Sequence, residues 1–196
     1  MNNLIKIGQI IPSTRAEGPG NRFAIWVQGC PILCKGCCNP EMLSEANGEL
    51  VSIDSIIEMI KITDDIEGIS ILGGEPFAQV EACLQICEQI KKTELSIMVF
   101  SGYTLGALKK RNNPEADRFL DCIDLLVDGP YIAGQPEQRR RWIGSSNQQM
   151  HFLSDRYSPM EPQFNSANSV EIRFNDGELL VNGWPQGAKA LLSKYK

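Results

Sequence analysis

The stretch Cys30-Pro31-Ile32-Leu33-Cys34-Lys35-Gly36-Cys37 is the most informative part of this chain, because three thiols follow one another at spacings of four and three residues. It follows the apolar run Phe23-Ala24-Ile25-Trp26-Val27-Gln28, which predicts a buried strand that delivers the first cysteine. Three thiolates on one loop can converge on a soft metal centre. A cubic [4Fe–4S] cluster held by three thiolates leaves one iron open to another ligand. A structural zinc ion normally takes four protein ligands and would need Cys38 or His151 as well.

Composition limits the classes of protein to consider. With 196 residues, 42% of them hydrophobic and 22% charged, the chain can bury one core and is most simply a single domain, 1–196. A net charge of −5 argues against nucleic acid as a partner. No apolar stretch is long enough to cross a membrane, and the polar N-terminus does not resemble a secretory signal. Seven cysteines, an odd number, favour cytoplasmic thiols serving a metal over a disulfide framework.

Strand-like and helix-like segments alternate through the first two thirds of the chain and predict an α/β fold, a parallel sheet with helices outside it. The predicted strands cover residues 4–11, 22–28, 69–72, 97–100 and 123–127, the first of them at the sheet edge. The predicted helices cover residues 52–62, 77–92, 105–111 and 114–121, with a short helical turn at 41–46.

After Gly129 this alternation ends. Residues 130–168 predict irregular loop with one strand at 150–153, and the C-terminal part, about 169–195, predicts a hairpin followed by a short helix at 187–195. The hairpin strands, 170–174 and 178–181, flank Asn175-Asp176-Gly177, a strong turn signal. The chain is too short for a complete eight-stranded barrel, so we expect an open partial (β/α) barrel whose open side can admit a protein substrate.

Five further stretches accompany the cysteine triplet: Gly18-Pro19-Gly20-Asn21-Arg22, Gly73-Gly74-Glu75-Pro76, Ser101-Gly102-Tyr103-Thr104, Val127-Asp128-Gly129-Pro130-Tyr131 and Arg141-Trp142-Ile143-Gly144-Ser145-Ser146-Asn147-Gln148. With them, the chain resembles the radical S-adenosylmethionine (SAM) enzymes, whose signature is C-x3-C-x2-C, and above all the small ones that activate glycyl-radical enzymes. The resemblance covers about residues 8–157, and the triplet and the GGEP motif are specific in combination. Cys38 stands where that family often has an aromatic residue.

The resemblance implies a radical SAM type of partial barrel and a set of site residues. Cys30, Cys34 and Cys37 would hold a [4Fe–4S] cluster, and SAM would chelate the fourth iron. The residues expected at the cofactor site are Gly36, Cys38, Gly73, Gly74, Glu75, Pro76, Ser101, Gly102 and Asp128. The GGEP motif would bind the methionine amino group, and Asp128 would contact SAM or a nearby cation. Because the two glycines carry no side chain, we expect backbone groups to approach the ligand closely.

The resemblance also implies a reaction: reductive cleavage of SAM to methionine and a 5′-deoxyadenosyl radical, which removes hydrogen from a glycine of a large partner enzyme. The expected partner is the anaerobic ribonucleotide reductase, and the expected electron donor is a flavodoxin or ferredoxin. Two alternatives stay open. One is a radical SAM enzyme that modifies a small molecule or a ribosomal peptide. The other is a non-enzymatic iron–sulfur electron carrier, which predicts a cluster without SAM cleavage.

The remaining cysteines and charged runs have simpler interpretations. Cys83 and Cys87 lie four residues apart on a predicted helix, in its apolar stripe, so we expect core packing rather than a second metal site. Cys122 is expected in the core as well. Nothing marks His151, the single histidine, as catalytic. The run 139–141 is interpreted as a solvated face, with a border of the substrate channel as the alternative.

Overall fold

A seven-stranded mixed sheet forms the centre of the fold in the computed structural model, which describes residues 3–175 and 178–192. Its strands are β1 (Leu4–Thr14), β2 (Arg22–Val27), β3 (Glu49–Ser52), β4 (Gly68–Gly73), β5 (Ser96–Phe100), β6 (Leu125–Asp128) and β7 (Gln149–Phe152). They are ordered β3-β1-β2-β4-β5-β6-β7. The four strands β2, β4, β5 and β6 are parallel, as predicted, whereas β1, β3 and β7 pair antiparallel with their neighbours. The architecture is therefore α/β with a mixed sheet.

The first predicted strand forms, but its predicted place at the sheet edge is wrong. β1 pairs with β2 on one side and with β3 on the other, so β3 is the edge strand. Sequence patterning missed β3 because its four residues are exposed or only half-buried and show no apolar face. Pairing with β1, rather than burial, gives this short segment its extended conformation.

The helices are α1 (Ile53–Ile62), α2 (Val80–Ile90), α3 (Leu105–Lys109) and α4 (Pro114–Cys122), with 3-10 turns at Pro40–Met42, Pro76–Gln79 and Pro162–Asn165. All four predicted helices are present. Two of them begin at a side-chain cap: Thr104 accepts a hydrogen bond from the Ala107 N–H, and Asn113 accepts one from the Glu115 N–H. None of the helices in the described residues is both long and apolar enough to span a membrane.

The two faces of the sheet have different neighbours. Alternate residues of the central strands, such as Ile25 in β2 and Ile71 in β4, pack with the helices in the main core. The predicted core positions of Cys83, Cys87 and Cys122 are confirmed, since all three are buried in this same cluster. Side chains on the opposite face, Trp26, Leu72 and Phe100, form a smaller cluster away from the helices. This second face is where the cysteine loop lies.

The C-terminal part forms the predicted hairpin and helix. Strands β8 (Val170–Asn175) and β9 (Glu178–Gly183) pair antiparallel, and α5 (Pro185–Leu192) follows them. Of the predicted turn, residues 176–177 lie outside the described residues, as do residues 193–195 of the predicted helix. The segment 130–168 is largely irregular, as expected, apart from β7 and one 3-10 turn.

Candidate iron–sulfur site

A cavity of about 440 Å³ lies on the face of the sheet that carries no helices. Trp26, Leu72 and Phe100 form its floor. Around them the cavity is lined by residues that follow β2, β4 and β5: Cys30, Cys34, Cys37, Cys38, Gly74, Glu75, Ser101 and Gly102, together with Gly73 at the end of β4. The carboxyl ends of parallel strands are where folds of this kind place ligands, and the volume suits a small molecule.

The cysteine loop begins where β2 ends, and its first residues are held by the turn that follows the loop. The N–H groups of Gly29 and Cys30 donate to the carbonyls of Met42 and Leu43, at 2.9 and 3.1 Å. The buried side chain of Gln28 donates two more hydrogen bonds to carbonyls of the same segment. These four bonds fix the start of the loop against the body of the protein.

Two residues in the left-handed region give the loop its shape. Leu33 has a φ of 51° and Gly36 a φ of 73°, so the chain turns on both sides of Cys34. The Cys37 N–H donates to the Cys34 carbonyl at 3.1 Å, which closes the second turn. Gly36 itself does not line the cavity; its Cβ, if it had one, would lie 2.9 Å from that of Ala133. We attribute its presence to the turn rather than to a ligand contact.

The sulfur atoms meet opposing electrostatic influences. Burial raises the pKa of the Cys30 thiol. The N–H groups of Ile32 and Leu33 hydrogen-bond to its sulfur and lower this pKa. Burial likewise raises the pKa of Cys34, against a hydrogen bond from the Tyr131 backbone. N–H groups directed at cysteine sulfur stabilise thiolate, the form that ligates iron, and tune a cluster's potential.

Cys38 is positioned beside a predicted ligand rather than as an additional one. A hydrogen bond with Cys37, followed by burial, raises its pKa, which keeps the Cys38 thiol protonated. The Cys37 sulfur also accepts the Asn39 N–H at 3.4 Å. Cys38 therefore lines the cavity itself and also contacts Cys37.

The donor set fits a cluster better than a single ion. The described residues contain no group of three or more His, Cys, Asp or Glu side chains close enough to hold one metal ion. Three thiols that line one cavity suit a cubane, which takes each thiolate on a different iron. The two candidates for the fourth ligand of a zinc site are Cys38 and His151. The Cys38 thiol is hydrogen-bonded to Cys37, and His151 Nε2 lies 2.9 Å from Asp128 Oδ2.

The two glycines of the GGEP motif allow close packing between backbone segments. The Gly74 N–H donates to the Val27 carbonyl at 2.7 Å, and the Glu75 N–H donates to the Gly29 carbonyl at 2.9 Å. A Cβ on Gly74 would lie 2.3 Å from the Gly29 carbonyl oxygen, and one on Gly73, whose φ is 100°, 2.8 Å from the β2 backbone. A side chain at either position would meet the backbone of β2 or of the start of the cysteine loop, and the expected approach of this segment to a ligand stays a prediction.

Glu75 joins two strand ends. Its buried carboxylate accepts hydrogen bonds from the Ser101 hydroxyl at 2.9 Å, the Gly102 N–H at 2.8 Å and the Phe77 N–H at 3.0 Å. Burial raises the pKa of Glu75, and these three bonds offset part of that rise. The predicted residues Glu75, Ser101 and Gly102 thus form one network at the cavity, whereas Pro76 opens a 3-10 turn and does not line it.

Asp128 is not brought to this cavity. Its carboxylate accepts the Leu105 N–H at 2.6 Å, at the first residue of α3, and faces His151. The 2.9 Å contact with His151 Nε2 lacks the alignment of a hydrogen bond. Both side chains line a separate cavity together with Thr104 and Leu105, while Gly129 and Tyr131 of the same motif line the cysteine cavity.

A second wall of the cavity is formed by residues that the sequence did not indicate as site residues. Glu17, Trp142, Asn182 and Trp184 all line the cavity. Glu17 is buried and accepts a hydrogen bond from Asn182 Nδ2 at 3.1 Å; burial raises its pKa to about 7. Trp142 belongs to the stretch 141–148. Asn182 and Trp184 lie at the end of the hairpin, and nothing in their local sequence pattern indicates a contact with residues so far away in the chain.

The arginine run is partly solvated, and two of its side chains pack on the loop that carries Trp142. Arg140 forms an ion pair with the buried Glu137 at 2.6 Å and donates to the Gln148 carbonyl at 2.8 Å. Arg141 stacks over the Trp142 ring, 4.5 Å from its centroid. Arg139 is exposed. The side chains of Arg140 and Arg141 therefore hold the loop that carries Trp142, and Trp142 lines the cavity.

Comparison with known proteins agrees with this class of site. A family model described as a 4Fe-4S single cluster domain matches residues 16–151, more than half of the chain. A relative from Vibrio cholerae is 34% identical over 151 residues, which cover 73% of this chain and 95% of that protein. Relatives from Haemophilus influenzae and Escherichia coli K12 are 32% and 30% identical, covering 73% and 74% of this chain and 95% and 97% of theirs. All three are named anaerobic ribonucleoside-triphosphate reductase-activating protein.

The fold and the cavity define an α/β iron–sulfur protein with a three-thiol loop beside a glycine-rich strand end. The chain belongs to the family of 4Fe-4S single-cluster proteins that includes the anaerobic ribonucleoside-triphosphate reductase-activating proteins.

Proposed function

We propose that this chain activates an anaerobic ribonucleoside-triphosphate reductase by removing a hydrogen atom from one of its glycines. It is a radical SAM enzyme, with a [4Fe–4S] cluster and SAM as cofactors. The observation that carries the proposal is the shared cavity of the three thiols, the GGEP segment and Ser101-Gly102. When bound, the cluster supplies the electron that cleaves SAM into methionine and a 5′-deoxyadenosyl radical.

The residues of this chain bind and orient the two cofactors. We assign Cys30, Cys34 and Cys37 as the cluster ligands. Backbone groups at Gly73 and Gly74 would bind the methionine part of SAM, and the Glu75 network would hold them in place. The apolar floor of Trp26, Leu72 and Phe100 excludes water from the reaction. The predicted contact of Asp128 with SAM is not part of this assignment.

The finer description of the fold is also a proposal. We propose that the sheet is the open partial (β/α) barrel of the radical SAM type, within a single domain of residues 1–196. Helices on one face and the cavity on the other support it, as do the four parallel strands at the centre. We further propose a cytoplasmic location, where thiols stay reduced, and a flavodoxin or ferredoxin as the electron donor.

Anaerobic reconstitution followed by electron paramagnetic resonance tests this function. The protein should take up about four irons and four sulfides per chain, the content of one cubane. Mixed with SAM, a reductant and the anaerobic reductase of the same organism, it should give the spectrum of a glycyl radical on the reductase. Each of the variants Cys30→Ala, Cys34→Ala and Cys37→Ala should lose both the bound iron and sulfide and the glycyl radical spectrum.

Cys83→Ala provides the matched control, because that thiol is buried in the core and away from the cavity. It should keep the iron content and the radical yield of the parent protein. Bound zinc without labile sulfide, or a cluster that never yields a glycyl radical with the reductase, would contradict the proposal.

A further inference from the structure

The hairpin β8–β9 contacts the body of the protein through polar side chains. Glu171 accepts hydrogen bonds from the Thr14 hydroxyl and the Arg15 N–H, both at 2.7 Å. Arg173 donates to Asn182 Oδ1 at 2.9 Å, and Asn182 in turn donates to the Thr14 hydroxyl at 3.0 Å. The face that packs inward is therefore the polar one.

The other face of the hairpin is apolar and exposed. Side chains alternate along a strand, and directly paired residues share a face, so the pairs Ile172–Val181 and Phe174–Leu179 stand on the side opposite Glu171. Ile172 is 54% exposed, Phe174 73% and Leu179 45%. This arrangement reverses the usual one, in which a two-sided hairpin packs its apolar face on the core. Clustered exposed apolar side chains of this kind mark interaction sites.

This apolar face leads to the cysteine cavity. Val181, the cross-strand partner of Ile172, lines the cavity, and the chain beyond it contributes Asn182, Gly183 and Trp184 to the same wall. A protein segment that carries a glycine into the cavity would lie beside this wall. The surface from which that segment projects would then cover the residues beside it.

We propose that Ile172, Phe174 and Leu179, here called the hairpin face, form a docking surface for the enzyme whose glycine is activated. The inference rests on the proposed function and assigns the partner an apolar patch next to its glycine-bearing segment. The hairpin begins after residue 151, where the match to the family model ends. The contact is therefore a property of this chain in addition to the shared cluster domain.

Threonine substitutions on this face provide the test. Ile172→Thr, Phe174→Thr and the double variant remove apolar surface while keeping a residue that favours strands. Ile62→Thr is the matched control, since Ile62 is 68% exposed at the end of α1 and does not line the cavity. The dissociation constant for the anaerobic reductase is measured with the reconstituted protein, together with iron content and partner-independent SAM cleavage.

We expect the double variant to weaken reductase binding about tenfold or more, the effect of truncating the few residues that dominate an interface. Its iron content and partner-independent SAM cleavage should equal those of the parent protein, and Ile62→Thr should bind the reductase as the parent does. Phe174→Leu keeps an apolar side chain at this position and should therefore retain most of the parent protein's affinity for the reductase. This result separates docking from misfolding of the hairpin.

Three results would overturn the inference, and they are distinguishable. Parent-like reductase affinity in the double variant would remove the docking role while leaving the proposed function intact. A dimer that dissociates in the double variant, with unchanged reductase affinity, would assign the face to a second copy of this chain. If the parent protein neither binds nor activates the reductase, the proposed function fails, and the docking surface fails with it.

Discussion

Among single residues, Arg22 belongs to one of the quoted motifs but has a structural role in the core. In the sequence it ends the stretch Gly18-Pro19-Gly20-Asn21-Arg22 and begins the predicted strand 22–28. In the structure it is fully buried and donates to Ser70 Oγ at 2.9 Å, Ser96 Oγ at 2.7 Å and the Pro19 carbonyl at 3.1 Å. Burial lowers its pKa to about 10, so it stays charged at neutral pH. Its role is to tie the loop to β4 and β5.

Glu17 gives a prediction about pH. Burial raises its pKa from 4.5 to about 7, against hydrogen bonds from Asn182 and the Gly183 backbone; nearby Glu171 raises it further, and Arg173 lowers it. A carboxyl group with a higher pKa in the folded state binds its proton more tightly there. The stability that comes from this tighter proton binding by Glu17 is fully present below pH 4.5 and is lost as the pH rises to about 7. The shift corresponds to about 3 kcal/mol.

Glu17→Gln should therefore become more stable relative to the parent protein as the pH rises through this window. Equilibrium urea unfolding of both proteins, under anaerobic and reducing conditions without SAM, measures the difference at pH 5 and at pH 8. The difference should grow by roughly 2–3 kcal/mol in favour of the variant. A difference that stays constant between the two pH values would show that Glu17 is ionised in the folded protein throughout.

At the scale of secondary-structure elements, the contact between the end of β4 and the start of the cysteine loop decides whether the site forms. Gly74→Ala would bring a methyl group to 2.3 Å from the Gly29 carbonyl oxygen, so one of the two backbones must move. We expect a loss of about 1–3 kcal/mol in the free energy of unfolding, as for overpacked cores, and reduced iron content because Gly29 precedes Cys30. Urea unfolding and iron analysis measure both effects.

Gly106→Ala is the control for this prediction. Gly106 lies in α3, and a Cβ there would meet nothing within 4 Å. Gly106 is the second residue of α3, and alanine there should raise stability by about 0.4–1 kcal/mol, because it lowers the entropy of the unfolded chain, and leave the iron content unchanged. If Gly74→Ala instead keeps parent stability and iron content but loses SAM affinity, the glycine serves the ligand after all.

The elements that were predicted correctly have a clear apolar pattern. α1 buries Ile53, Ile56, Ile57 and Ile60 on one face, and β2 is buried throughout, so periodicity alone identifies both. β3 has no such pattern and was missed. The position of the GGEP turn was predicted, but its packing partner was not, because which strands lie next to each other is a property of the sheet rather than of the motif.

For the molecule as a whole, the sequence predicted one half of the cavity and missed the other. The cysteines and strand ends carry motifs and lie where parallel strands end. The facing wall depends on contacts between residues far apart in sequence, such as the hydrogen bond between Thr14 and Glu171, which are 157 residues apart. Local patterning predicts that a hairpin forms at the C-terminus, but the side of the sheet on which it packs follows from tertiary contacts.

The central claim is that the radical generated at this cavity removes hydrogen from a glycine of the anaerobic reductase. Deuterium incorporated at the glycines of the reductase, with SAM and this protein unlabelled, tests it most directly. Deuterium should appear in 5′-deoxyadenosine, up to one atom for each glycyl radical formed, and should be absent when that single glycine is replaced by alanine. Transfer from a small metabolite or a short peptide, with none from the reductase glycine, would contradict this claim.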